Sequence, residues 1–145
     1  MSSQPGQPST TSKLRALAEV VLLCQDLERS LQFYRDVLGL EVISPAGLPA
    51  IFLRVGEPGP GVPQQIVLVP RPAGAAPPSN ERDKASRDLH HIGLEVAPDD
   101  LPRERQRLAD LGFPIRGGQH PFLPVEAFYL DDPDGNEVEI VARTG

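Results

Sequence analysis

The sequence has no tryptophan, one methionine and a single cysteine, Cys24. One cysteine can form no disulfide within the chain and no cysteine-rich zinc site. No flanking cation lowers its pKa, so Cys24 is expected to be a small buried hydrophobe rather than a nucleophile. Long apolar runs are also missing. None approaches the roughly 18–20 residues that span a bilayer, and the stretch from Met1 to Lys13 has no signal-peptide core. The expectation is a cytoplasmic chain with no membrane partner. Positive charge is scarce: 14 Lys and Arg stand against 20 Asp and Glu, a net charge of -6. Nucleic-acid binding wants a basic face, so that partner class is set aside. A small-molecule or protein partner remains.

Proline and glycine, by contrast, are abundant, at 17 and 13 of 145 residues. They gather in tails and connections and so punctuate the fold. Residues 1–13 are polar and low in complexity and are expected to be a disordered tail. Residues 14–145 are expected to form one domain, a length that allows a real hydrophobic core. "LAEVVLLCQ" has the β-branched character of a strand. Asp26 stands where a helix N-cap belongs, and Leu27, Leu31, Tyr34 and Leu38 make one helical stripe up to Gly39. "LEVIS", "AIFLRVG" and "QQIVLVP" are three short strand candidates. Arg71 to Asp88 shows no periodicity and is expected to be a linker.

The pattern then restarts. "LHHIGLEVA" is expected to be a strand, and Asp99 or Asp100 to cap a helix over "LPRERQRLADLG". "FPIRGG", "VEAFYLDD" and "NEVEIVAR" follow as strands. Twenty positions separate Glu19 from Gly39, and 21 separate His91 from Gly112. From Gly39 to Leu68 is 29 positions, and from Gly112 to Glu139 is 27. This is an internal repeat. The fold class expected is α+β, with two tandem βαβββ modules, about 14–70 and about 89–143, pairing around a cleft.

"EVVLLCQDLERSLQFYRDVLGLEV" resembles the first module of the vicinal oxygen chelate superfamily, which includes glyoxalase I, extradiol dioxygenases, fosfomycin-resistance enzymes and bleomycin-resistance proteins. "HHIGLEV", "RLADLGF" and "FYLDDPDGNEVEIV" resemble its second module. The resemblance covers roughly residues 17–143. It implies a metal site taking one ligand from the first and last strand of each module. Carried onto this chain, the positions are Glu19, His91, Leu68 and Glu139, and Leu68 cannot ligate. The implied metal ligands are therefore Glu19, His91 and Glu139, with Glu139 also a catalytic candidate. A carboxylate inside the apolar run around Glu19 is costly unless exposed, paired or on a metal. Two carboxylates and one imidazole suit a divalent ion such as Mn, Fe, Ni, Co or Zn.

Other residues have competing readings. Tyr129 either donates a hydrogen bond into the cleft, as a second catalytic candidate, or packs in the core. His120 is either a cleft-rim residue or a surface histidine. By strand alternation His90 faces away from His91, and Glu137 shares the face of Glu139 but sits nearer the turn. Asp132-Pro133-Asp134-Gly135 is turn chemistry. Arg54, Arg116 and Arg143 could bind an anion, but nothing in the sequence brings them together.

The resemblance implies a metal-dependent small-molecule enzyme of lyase, isomerase or dioxygenase type, in which a Lewis acid stabilises an oxyanion. Glu19 in place of histidine weighs against ring cleavage, and Leu68 against a glyoxalase-type carboxylate pair. The alternative is a metal-free protein that binds a small molecule or drug without turnover. A homodimer is expected, with or without exchange of modules across the linker.

Overall fold

Two runs of the same local pattern give two four-stranded sheets in a computed structural model that describes residues 12–145. The first module contains β1 (Glu19–Cys24), helix α1 (Leu27–Leu31, widening into a π-helical stretch Gln32–Val37), β2 (Glu41–Val42), β3 (Ile51–Val55) and β4 (Gln64–Pro70). The second contains β5 (Ile92–Glu95), α2 (Leu101–Asp110), β6 (Arg116–Gln119), β7 (Val125–Asp131) and β8 (Glu137–Arg143). The strand orders are β1-β4-β3-β2 and β5-β8-β7-β6. β1 runs parallel to β4, β5 runs parallel to β8, and the other pairs are antiparallel. The architecture is the expected α+β tandem of βαβββ modules. Of the expected tail, residues 1–11 lie outside the described residues.

Alternation decides the two faces of each sheet. Leu22, Cys24, Ile66 and Leu68 point inward from the first sheet, and Phe128, Leu130, Val138, Ile140 and Ala142 from the second. With Phe33, Tyr34 and Leu108 from the helices they form one apolar cluster that crosses the module boundary. Cys24 belongs to it, and burial pushes its thiol up to about 11. The expected small buried hydrophobe is what the fold contains.

Local signals are followed with some shifts. Asp26 caps α1, its carboxylate accepting the Arg29 N–H at 3.1 Å. Asp100 stands at the N-cap of α2 but makes no side-chain cap bond, because Pro98–Asp100 already form a 3-10 turn leading into the helix. β5 begins only at Ile92, leaving Leu89, His90 and His91 ahead of the strand. β6 starts at Arg116 rather than Phe113. Phe113 instead packs its ring edge-on to Phe33, 5.7 Å between centroids.

The segment expected to be a plain linker is docked. Ser79–Glu81 and Lys84–Ser86 form 3-10 turns. The Asn80 N–H donates to the Asp134 carbonyl at 2.9 Å, and the Ser79 hydroxyl donates to Asn136 at 3.0 Å. Gly135 has φ +82°, and an added Cβ would come within 2.7 Å of the Asn80 nitrogen. Glycine is therefore required there both for the turn and for the approach of the linker.

The acidic turn between β7 and β8 holds the modules together. It was expected to be turn chemistry alone, yet Asp132 and Asp134 are buried. The Tyr34 hydroxyl donates to Asp132 Oδ2 at 2.7 Å. Asp132 Oδ1 accepts the backbone N–H groups of Asp134 and Asn136 at 2.9 and 2.8 Å. Asp134 accepts the Gln25 N–H at 3.0 Å and the Ser30 hydroxyl at 3.3 Å. Burial pushes the Asp132 carboxyl upward, and its hydrogen bonds from Tyr34 and Asn136 oppose the shift. A buried carboxylate persists only when its lone pairs are taken in this way.

Replacing Asp132 by Ala would leave the Tyr34 hydroxyl buried without an acceptor and should cost about 3 kcal/mol. Tyr34→Phe leaves Asp132 its other donors and should cost about 1 kcal/mol. Urea unfolding with unchanged m-values measures both, and equal costs would contradict the assignment.

Candidate functional site

The face of the second sheet away from the core carries the chemistry. In register order it presents Gly93 and Glu95 from β5, Glu137, Glu139 and Val141 from β8, Asp131, Tyr129 and Ala127 from β7, and Arg116 and Gly118 from β6. His91 directly precedes β5. A cavity of about 360 Å3 lies against this face, with Gly93, Glu95, His120, Leu123, Val125, Glu139 and Val141 among its lining residues.

Glu139 is half-buried, and its Oε2 accepts a short hydrogen bond from the Tyr129 hydroxyl. The Tyr129 hydroxyl is thus spent on Glu139. Its phenol is pushed up to about 12, first by this bond, then by burial and by the charges of Glu139 and Glu137. The His91 ring meets Tyr129 edge-on, 5.6 Å between centroids. His91 Nδ1 lies 2.8 Å from His90 Nδ1, so these adjacent imidazoles meet rather than diverge. Alternation would separate them only within a strand, and both residues precede β5.

Among the described residues, one group of three ligating side chains comes within 4.8 Å of one another: His90, His91 and Glu137. The implied set, Glu19, His91 and Glu139, is not such a group. Glu19 is exposed at the start of β1, and it lines a small cavity of about 60 Å3 together with Ile92, Gly93 and Leu94. The first strands of the two modules thus meet at the start of β5, next in the chain to His91.

Glu137 is already committed to cations. Its carboxylate lies 3.3 Å from Arg116 and 3.3 Å from Lys84 of the docked linker. Arg116 also pairs with Asp131 at 2.7 Å. Arg54 is paired with Glu41 at 2.7 Å on the first sheet, and Arg143 donates to the Gly145 carbonyl. The three arginines therefore form no common anion pocket.

Register corrects one counterpart. Spacing set Leu68 against Glu139. Glu19 to His91 is 72 positions, and the same offset links Val67, not Leu68, to Glu139. The parallel pairings agree: Val21 lies beside Val67 and Gly93 beside Glu139. Leu68 points into the core and is fully buried. The position is apolar in either case, so the first module lacks a ligand there.

His120 lines the cavity. Its Nδ1 accepts the N–H groups of Phe122 and Leu123 at 3.2 and 2.9 Å. A nitrogen that accepts carries no proton, so the neutral ring carries its proton on Nε2.

These features belong to a known class. The family model of the glyoxalase/bleomycin resistance protein/dioxygenase superfamily matches residues 16–140. The chain belongs to this superfamily. It is 32% identical over 123 residues to catechol-2,3-dioxygenase of Bacillus subtilis (strain 168), a match that covers 83% of this chain and 39% of that protein. The chain thus spans about two-fifths of that relative's length. A glyoxalase/dioxygenase from Nostoc punctiforme superposes with a TM-score of 0.70 at 21% identity, covering 97% of this chain and 100% of the other. Lactoylglutathione lyase from Agrobacterium tumefaciens superposes with a TM-score of 0.62 at 22% identity, covering 90% and 96%. No helix among the described residues is long and apolar enough to cross a membrane.

Because the bond to Glu139 leads the shift, Glu139→Gln should bring the Tyr129 phenol back from about 12 toward its ordinary 10. Alkaline titration of phenolate absorbance in the metal-free Tyr34→Phe background, which leaves one tyrosine, measures it. A phenol that stays near 12 would contradict the assignment.

Proposed function

We propose that this chain is a divalent-metal-dependent enzyme acting on a small oxygen-bearing substrate, with Glu19, His91 and Glu139 as metal ligands. The observation that carries the reading is the convergence of His91, Tyr129 and Glu139 on one sheet face, with Glu139 and His120 lining the same cavity. The donor chemistry suits such an ion: imidazole nitrogen and carboxylate oxygen fit divalent first-row metals.

Two β8 carboxylates compete for the role, and electrostatics favours Glu139. Glu137 is neutralised by Arg116 and Lys84, and those cations would also repel a metal held beside them. Glu139 has an uncharged phenol as its partner and faces the cavity. Glu19 is the donor that β1 brings beside the start of β5.

A bound divalent ion would act as a Lewis acid, stabilising negative charge on adjacent substrate oxygens. The chain's own residues have distinct tasks. Tyr129 holds Glu139 in place through its hydroxyl. His120 offers an Nε2–H to a substrate oxygen and is able to shuttle a proton. Leu123, Val125 and Val141 exclude water from the cavity and receive the apolar part of the substrate.

Among the branches, oxygenation of a ring bearing vicinal oxygens is the first to test, on the strength of the catechol-2,3-dioxygenase relative. Glu19 in the first ligand position is this chain's own departure. The homodimer belongs to the same proposal. Val21 and Leu23 on edge strand β1 are 50% and 39% exposed, leaving apolar surface for a second copy.

The protein should be loaded anaerobically with Fe, Mn, Ni, Co or Zn in turn, and bound metal measured by elemental analysis. Near-stoichiometric metal is expected, lost in His91→Ala and Glu139→Ala and kept in Glu137→Ala and His90→Ala. Loss in Glu137→Ala and His90→Ala, with Glu139→Ala still loaded, would move the site to the His90, His91 and Glu137 cluster. Wild-type protein that binds none of these metals would leave the metal-free binding protein as the reading. Oxygen uptake on catechol by the iron-loaded protein tests the oxygenase branch, and light scattering tests the dimer.

A further inference from the structure

Tyr129 is held in place by something other than Glu139. On β6, two glycines are adjacent, Gly117 and Gly118. Glycine weakens a strand interior, so its presence calls for a reason. The backbone does not supply one, since Gly118 lies outside the left-handed region. The neighbouring side chain does. A Cβ added at Gly118 would lie 2.1 Å from Tyr129 Cε2, 3.0 Å from Cδ2 and 3.1 Å from Cζ. At Gly117 an added Cβ would meet nothing within 4 Å.

The contact at Gly118 differs in kind from that at Gly93. An added Cβ at Gly93 would lie 2.9 Å from Glu139 Oε1, the far end of a flexible chain that can turn aside. A ring edge at 2.1 Å cannot yield locally; the whole phenol must leave. The hydroxyl that bonds Glu139 would leave with it. The ring edge that meets His91 would be displaced as well.

We infer that Gly118 is a positioning residue: its missing side chain is the seat of the Tyr129 ring, and through that ring it fixes where the Glu139 carboxylate stands. The part concerning metal rests on the proposed ligand role of Glu139; the seat itself does not. Partners that orient a ligand change metal affinity about 10–100-fold when removed.

The test is a double-mutant cycle read by Mn²⁺ binding calorimetry and by the melting temperature of the metal-free protein. Gly118→Ala should weaken Mn²⁺ binding about tenfold or more and lower the melting temperature by about 3 °C. In the Tyr129→Ala background, where no ring remains to displace, the same substitution should change both quantities little. Gly117→Ala serves as the control and should change neither. An undiminished effect of Gly118→Ala in the Tyr129→Ala background would overturn the inference, as would no effect in the wild-type background. If Gly118→Ala fails to fold, the double variant decides: a recovered fold supports the seat, and continued unfolding rejects it. If the wild-type protein takes up no Mn²⁺, the calorimetry is run with whichever of Fe, Ni, Co or Zn it binds; if it binds none, the metal reading fails and the melting cycle alone judges the seat.

Discussion

The rest of the structure depends on a buried carboxylate that reaches from one module into the other. Asp132 sits in the turn between β7 and β8, yet its acceptor atoms serve both that turn and Tyr34 of the first helix. Next to it Asp134 takes the backbone N–H that leads into the same helix. Two four-stranded sheets pack most tolerantly through apolar side chains, which accept many orientations. Hydrogen bonds to buried anions do not, because a shift of an ångström leaves charge unsolvated. The turn therefore sets the angle between modules that hydrophobic packing alone would leave loose. The site inherits that precision, since Glu137 and Glu139 follow the turn on the same strand.

Much of the fold was legible in the sequence because both of its signals are local. The period of the apolar residues distinguishes strand from helix, and Asp26, Gly39 and Gly112 mark helix ends. The repeat supplied the topology. What escaped was long-range. Nothing near Asp132 or Asp134 in the chain states that Tyr34, 98 positions away, needs an acceptor. The docking of residues 79–86 was hidden for the same reason: a segment without periodicity looks idle until its partner is known. A faint clue existed, since Tyr34 lay on the buried stripe and a buried hydroxyl demands a partner.

The site was legible in a different measure. Strand parity placed Glu137 and Glu139 on one face. Parity could not tell which glutamate is free, because that depends on Arg116 and Lys84, which arrive from β6 and from the linker. Nor could it hold across the start of β5. His90 and His91 were expected to point apart, and they meet because the strand begins at Ile92, three residues later than expected. His120 was open between two readings, and the structure places it in the cavity lining with Nδ1 occupied by its own loop.

The docked linker has a consequence for the chain as a piece of topology. Between Arg71 and Pro78 the peptide crosses from one half of the molecule to the other. On the far side Ser79, Asn80 and Lys84 are fastened to the second half, and Arg71 is tied by its main-chain N–H to Cys24 on the near side. The covalent crossing is thus bracketed by anchors at both of its ends. Continuity of the backbone keeps the two halves at high effective concentration, while the anchors and the shared core set how they meet. Two separate polypeptides meeting at this crossing would carry the same surfaces as the single chain, which makes the present protein a fused pair in its architecture.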